Sequence, residues 1–258
     1  MKYRKQAISW VLHSMKILFG DESIRRYIII KYNPLIENQA KKCIRTFSAF
    51  VQNGKSREDK AKQIIRFCDE MCLRKGTIVY TATNIQETPN DMETHFQTYI
   101  QNNETKQIII IDPAFDNQNP GNEGIYMAQV STEVIIPFFQ QKNYSCHFLD
   151  LSSPAQICEG DVFCQSWSLF ILIQKLKNNG YNTNLSFEIP FEQLEKYELL
   201  LAFYKQLFND FPELRDNLIT EYKAEILSSI SLTNSQKEKL LIIDPIEILL
   251  SMTGGEMK

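Results

Sequence analysis

The sequence predicts an α+β protein, and three observations carry that reading. Apolar residues recur at helical spacing in both terminal stretches. A β-branched and aromatic block begins at Gly76 and breaks that period. Inside this block, a strongly apolar segment from about Phe163 to Lys177 has the length of a helix, not a strand. The order of helices, β core with one key helix, and helices divides the chain into an N-terminal helical region (1–75), a core (76–182) and a C-terminal helical region (183–258).

Residues 5–75 read as helical throughout, with a break at Val51-Gln52-Asn53-Gly54-Lys55. Gly54 suits a helix C-cap there and Ser56 the next N-cap. Beyond the break, Ala61, Ile64, Ile65, Phe67, Cys68 and Met71 form a core-facing stripe. Thr77 to Thr83 is β-branched and aromatic, hence a strand. His95 to Gln101 alternates, Asn102-Asn103-Glu104-Thr105 reads as a hairpin turn, and the isoleucine run ending at Ile111 suits a central strand. A polar loop follows over 113–123. Met127 to Gln141 reads as a helix in which Pro137 is out of place. Tyr144 to Leu149 is a short strand, and Pro154 to Asp161 a loop before the apolar helix, which Asn178-Asn179-Gly180 ends. From Pro190 onward the chain is helical. Glu192 to Phe208 and Pro212 to Ile230 are amphipathic, and Leu240 to Leu250 is apolar enough to dock on the body.

With 258 residues and 43% hydrophobic content, the chain can bury one large core or two modest ones. A net charge of −3 gives no nucleic-acid signature and no membrane partner. The basic start, Met1 to Lys5, precedes an apolar stretch as in a signal peptide. His13, Ser14 and Lys16 interrupt that stretch, however, and no small-residue cleavage site follows, so an amphipathic first helix is expected. No run approaches the ~18–20 apolar residues that span a bilayer. Cys43, Cys68, Cys72, Cys146, Cys158 and Cys164 lack the spacing of a disulfide scaffold and read as reduced thiols of a soluble, intracellular, cytoplasmic protein. Cys68 and Cys72 share a helix face, but without a matching pair they read as buried thiols. Neither metal nor cofactor is expected.

The residues able to do chemistry are few. Of three histidines, His13 lies among Trp10, Leu12 and Met15 and reads as a packed structural residue. His147, three residues before Asp150, offers a rival triad inside a short strand. His95 follows a polar loop and begins a strand, where its ring can face a cleft. Asp112, 17 residues on, closes the next strand of the hairpin, and antiparallel strand ends lie close together. Cys164, 52 residues after Asp112, opens the apolar helix, whose dipole favours a thiolate at its N-terminus. A thiolate, an imidazole and an orienting carboxylate form a nucleophilic site, and their order and setting suggest a cysteine protease acting from an open groove.

His95-Phe96, Ile111-Asp112-Pro113, Pro154-Ala155-Gln156, Gly160-Asp161 and Cys164 together resemble the adenovirus-proteinase and SUMO-protease clan of cysteine peptidases, the ubiquitin-like protease fold. The phrase around Cys164, with Trp167 one turn on, resembles uncharacterised members from large DNA viruses. The resemblance covers residues 77–180. It implies a papain-like core, a mixed sheet plus the helix bearing the nucleophile, with helical flanks outside it. It also implies a Cys164, His95 and Asp112 triad, with Gln156 and the Cys164 N–H donating to the oxyanion and Trp167 in the core. Three features depart from the clan: Phe96 stands where Trp is usual and Phe163 where Asp is frequent, and Gln156 lies eight residues before Cys164, so a loop insertion is required.

The implied substrate is a protein or peptide cut at Gly-Gly-type or ubiquitin-like conjugate sites, in the cytoplasm, or in host cytoplasm or a virion if the source is viral. Gly254-Gly255 fits such a site, but a flexible tail is the preferred reading. Two alternatives stand beside the peptidase. An acetyltransferase on the same frame needs a basic cofactor cluster, and no clear one is present. A catalytically inactive scaffold or virion protein would use the helical flanks to bind a partner.

Overall fold

The isoleucine run forms the buried centre of a mixed sheet. The computed structural model describes residues 2–33, 44–50, 57–87, 92–115, 131–156, 163–177 and 184–257. Among these, β1 (Ile44–Phe50), β2 (Thr77–Glu87), β3 (Met92–Asn102), β4 (Gln107–Ile111) and β5 (Ser145–Phe148) lie side by side in sequence order. The β2–β3–β4 centre is antiparallel, and the outer pairs β1–β2 and β4–β5 are parallel. With helices around this sheet, the chain is α+β.

The N-terminal stretch departs from expectation at β1, where a strand replaces the expected helix over 44–50. Ile44, Thr46, Phe47 and Phe50 are β-branched or aromatic, and pairing from Ile44↔Val79 to Phe50↔Ile85 satisfies the backbone in the extended form. The helices before it are α1 (Lys2–Gly20) and α2 (Glu22–Tyr32), and α3 (Arg57–Cys72) follows. Asp21 starts α2 by accepting from the Ser23 and Ile24 N–H groups at 2.7 and 3.2 Å. The expected caps Gly54 and Ser56 lie outside the described residues.

On α3 the stripe holds at Ile64, Cys68 and Met71, which join Ile78, Tyr80, Tyr99, Ile108, Ile110, Phe139 and Tyr144 in one core. Ile65, expected in the stripe, is exposed, because one residue beyond Ile64 turns it about 100° off that face. Tyr80 and Tyr99 pair across β2 and β3 and stack at 5.0 Å. Residues of the opposite parity (Val79, Thr98, Ile100, Ile109 and Ile111) are buried too, so the sheet is covered on both faces. Each buried isoleucine contributes about 1.5–3 kcal/mol.

The hairpin turn falls at 103–106, one residue later than expected, with Lys106 at φ 54. Asn102 Oδ1 accepts from the Glu104 and Thr105 N–H groups, and Asn103 Nδ2 donates to the Met71 and Arg74 carbonyls, fastening the turn to the end of α3. Of the helix expected over 127–141, the described part is a π-helical turn at Ser131–Ile135 followed by α4 (Ile136–Gln141). Pro137 is accommodated in the first turn of α4, where its missing N–H costs nothing. The chain then runs through β5 to β6 (Asp150–Leu151), which pairs in parallel with β7 (Ser186–Phe187), a strand the sequence did not announce. Between them, α5 (Cys164–Leu176) packs on β3 and β4.

Residues 26–189 form one compact unit, and residues 1–25 with 190–258 form another. The second unit contains α1, α6 (Gln193–Asp210), α7 (Glu213–Ser228), α8 (Asn234–Leu241) and α9 (Pro245–Ser251). Its core includes Val11, Met15, Phe19, Tyr204, Phe208, Leu218 and Tyr222, with Phe19 stacked on Tyr204 at 5.4 Å. Two expectations fail here. His13 is half exposed and sits 2.9 Å from Glu225 Oε2 instead of packing inside, because it points off the buried Val11, Ser14 and Met15 face. The glycine tail is ordered rather than flexible: Gly254–Met257 forms a 3₁₀ turn, and the Gly254 N–H donates to Glu198 Oε1 at 2.6 Å.

No helix of the described residues is long and apolar enough to cross a membrane. Cys68 is buried, Cys72 and Cys146 are half-buried, and all three are free thiols that burial pushes up from the ordinary range. Cys43 and Cys158 lie outside the described residues. Among the described residues, no three His, Cys, Asp or Glu side chains gather as a metal ion would need.

Candidate active site

Strand alternation decides which side chains meet. On β3, residues 95, 97 and 99 share a face. The last paired residues of β3 and β4 are Thr98 and Ile111, so the next step brings Gln97 opposite Asp112, with His95 one same-face position farther along. His95 Nε2 stands 2.8 Å from Asp112 Oδ1. An ionised carboxylate can only accept, so Nε2 carries the proton. The Ala114 N–H donates to the same oxygen at 2.9 Å, and Gln97 Nε2 donates to Oδ2 at 2.5 Å.

Asp112 is 3% exposed. Burial opposes its charge, but the His95 imidazolium and the hydrogen bonds from His95, Gln97 and Ala114 hold the carboxyl below its ordinary range. Burial likewise opposes a charge on His95. Asp112 outweighs it, with a smaller contribution from Cys164, and the imidazole is pushed up to about 10.

The sulfur comes from α5. Its residues are buried on nearly every side, Trp167 fully so, which is the pattern of a central core helix. Cys164 is the first residue of α5, and Phe163 before it supplies no side-chain cap to the helix N–H groups. The Cys164 thiol lies beside the His95 ring and is among the groups that raise the imidazole's pKa. Since Asp112 occupies Nε2, Nδ1 is the ring nitrogen left for the sulfur. Cys164 Sγ also lies 3.3 Å from Gln165 Oε1.

The expected open groove is corrected here: Cys164 is 2% exposed, and the His95 side chain keeps 14%. Phe163 before Cys164 and Trp167 one turn on are buried as well.

Gln156 is half-buried, and its backbone N–H donates to the Pro113 carbonyl at 2.8 Å, which ties its loop to the turn directly after Asp112. Residues 157–162, between Gln156 and Phe163, lie outside the described residues. His147 bonds Ser145 on its own strand.

The sequence reading missed Gln97 and Ser131. Gln97 left a faint signal: it shares His95's parity, two residues farther along the same strand. Ser131 left none, because its place depends on the π-helical turn.

No protein-family model and no curated protein matches the chain. Among solved structures the chain is similar to the Legionella pneumophila effector protein RavZ, at 11% identity over 83% of this chain and 74% of that one, with a TM-score of 0.30. RavZ in complex with human LC3B aligns at 10% identity over 83% and 70%, with a TM-score of 0.26. Superpositions this loose leave the chemistry to be read from the side chains.

Proposed function

We propose that the protein is a cysteine peptidase in which Cys164 is the nucleophile, His95 its acid–base partner and Asp112 the orienting carboxylate. One observation carries this reading. A single imidazole stands 2.8 Å from a buried carboxylate oxygen and beside a thiol at a helix tip, and both neighbours raise its pKa. His95 as imidazolium pairs with a Cys164 thiolate, and the positive end of α5 favours the same negative charge. Sγ attacks the scissile carbonyl carbon, and the carbonyl π electrons move to oxygen. The Cys164 N–H and the Gln156 amide donate to that oxyanion. As the tetrahedral centre collapses, the C–N bond breaks and His95 gives its Nδ1 proton to the leaving amine, producing a thioester. Neutral His95 then takes a proton from water, whose oxygen attacks the thioester. The acid leaves and the thiolate–imidazolium pair is restored. Asp112 stays ionised throughout, fixing the ring through Nε2.

The setting supports a papain-like, ubiquitin-like-protease core wider than residues 76–182, since β1 and α3 before it and β7 after it belong to the same compact unit. On this reading the substrate is a polypeptide, cut at Gly-Gly-type or ubiquitin-like conjugate sites. The free thiols support an intracellular setting.

The test incubates wild type, Cys164→Ala and His95→Ala with a thiol-directed electrophile and with Gly-Gly-containing and ubiquitin-like substrates. Labelling and cleavage by wild type alone is the expected result. Equal cleavage by all three, or no labelling of native wild type, overturns the reading.

A further inference from the structure

Asp112 is held on both oxygens, and the partner on Oδ2 is itself fixed. Gln97 is 1% exposed and Ser131 fully buried, beside Asp112 at 3%. Gln97 Nε2 donates to Asp112 Oδ2 at 2.5 Å, while its Oε1 accepts from Ser131 Oγ at 2.6 Å and Tyr99 OH at 3.0 Å. The two hydroxyls also lie 2.5 Å from one another.

The orientation of the amide follows from this arrangement. An ionised carboxylate has only lone pairs to offer, so the NH₂ end must face it and the oxygen must face the hydroxyls. Each hydroxyl has one proton. One donates to Gln97 Oε1, and the other donates either to the same oxygen or to its neighbour. A flipped amide would set oxygen against oxygen at 2.5 Å and leave both hydroxyls without their acceptor. The side chain therefore has one stable setting in a buried site, where a misplaced dipole is costly.

We infer that Gln97, locked by Ser131 and Tyr99, is a positioning residue that fixes the Asp112 carboxylate so that Oδ1 points at His95 Nε2. The inference deepens the proposed peptidase reading and rests on it for its catalytic meaning. The hydrogen-bond relay stands on geometry independent of that reading. Without Gln97 the carboxylate keeps, among the described residues, the bonds on Oδ1 from His95 and Ala114, and can rotate about its last side-chain bond. The His95 ring then loses the rigid acceptor that holds it toward Cys164.

The experiment uses the full chain labelled with ¹⁵N-histidine and follows the ring N–H protons. The chain has three histidines, so His13 and His147 report whether the fold persists. Wild type is expected to show a slowly exchanging His95 ring proton. Gln97→Leu is expected to speed that exchange about tenfold or more, the scale of one lost hydrogen bond to a charged group. Gln97→Glu supplies the decisive readout. While the introduced carboxyl is protonated it can donate to Asp112 Oδ2 as the amide does, so the variant's spectrum should match wild type at pH 5. As pH rises and that carboxyl ionises, two carboxylates face each other and protection of the His95 proton is lost. A purely packing role for Gln97 would show no such pH dependence.

Ser131→Ala, a milder change should Gln97→Leu fail to fold, removes one of the two hydroxyls and is expected to speed exchange less, in the same direction. His95 exchange unchanged in Gln97→Glu from pH 5 to 9 and in Ser131→Ala overturns the inference. Iodoacetamide labelling of Cys164 in the same samples separates the two ideas. An unreactive wild-type thiol with an intact His95 response removes the peptidase reading alone. A reactive thiol with an unchanged response removes the role of Gln97 alone.

Discussion

His95 reaches Asp112 diagonally across the β3–β4 hairpin rather than straight across it. Gln97 occupies the position opposite Asp112, and the imidazole extends from two residues farther along the same face to bring Nε2 within 2.8 Å of Oδ1. A diagonal contact of this kind suits a long planar side chain, because same-face neighbours two apart lie about 7–8 Å from the cross-strand residue. It also leaves room for both His95 and Gln97 on one carboxylate.

The ion pair sets a pH window for stability. The folded His95 pKa of about 10 lies above its ordinary 6.5, so its contribution is complete below 6.5 and declines as pH rises toward 10. Asp112 lies below its ordinary 3.8, so its contribution is present above 3.8 and is lost as pH falls below it. The stability gap between wild type and His95→Gln should therefore be widest from about pH 4 to 6.5 and narrow toward pH 10. Denaturant midpoints across that range measure it, and a gap that widens above pH 7 would contradict the paired imidazolium.

Loss of the amide at Gln156 should lower kcat by about 10²- to 10³-fold with KM little changed, since an oxyanion donor acts chiefly in the transition state. Steady-state kinetics of Gln156→Ala on any cleaved peptide gives the answer. An effect confined to KM would assign the side chain to substrate binding instead.

The two glycines near the C-terminus should behave differently. A Cβ at Gly254 would lie 2.9 Å from the Glu198 backbone nitrogen and side chain, whereas at Gly255 it meets only Thr253 Oγ1 at 3.8 Å. Gly254→Ala should cost about 1–3 kcal/mol, as overpacking does, and Gly255→Ala should be nearly neutral. Urea unfolding of the two variants is the measurement, and equal midpoints would mean that Glu198 yields freely.

Trp167 should matter through packing. It is fully buried on the helix that carries Cys164 and meets Phe170 edge-on at 6.2 Å. Trp167→Ala should destabilise the protein by about 3–5 kcal/mol. Trp167→Phe should retain most of that stability. Thermal unfolding compares the two, and a negligible loss in Trp167→Ala would place the indole outside the core.

The sequence was most legible where period and environment agreed. The isoleucines of β4, the alternation of β3 and the apolar α5 each declared their type, because burial on known faces demands those residues. It was least legible at β1, whose seven residues are extended because β2 pairs with them, a partner about 35 positions away in the register. His13 and Ile65 misled because a local pattern of apolar neighbours does not say which side of a helix is covered.

By itself, the sequence determined the α+β class, the order of histidine, aspartate and cysteine, and the elements that carry them, since local periodicity and turn chemistry specify those. Only the tertiary structure decided that Gln97, itself held by Ser131, donates to Asp112, that Cys164 is buried, and that Gly254 is packed rather than loose. Each of these depends on contacts between residues distant in the chain, where strand register and helix packing, not local preference, set which atoms meet.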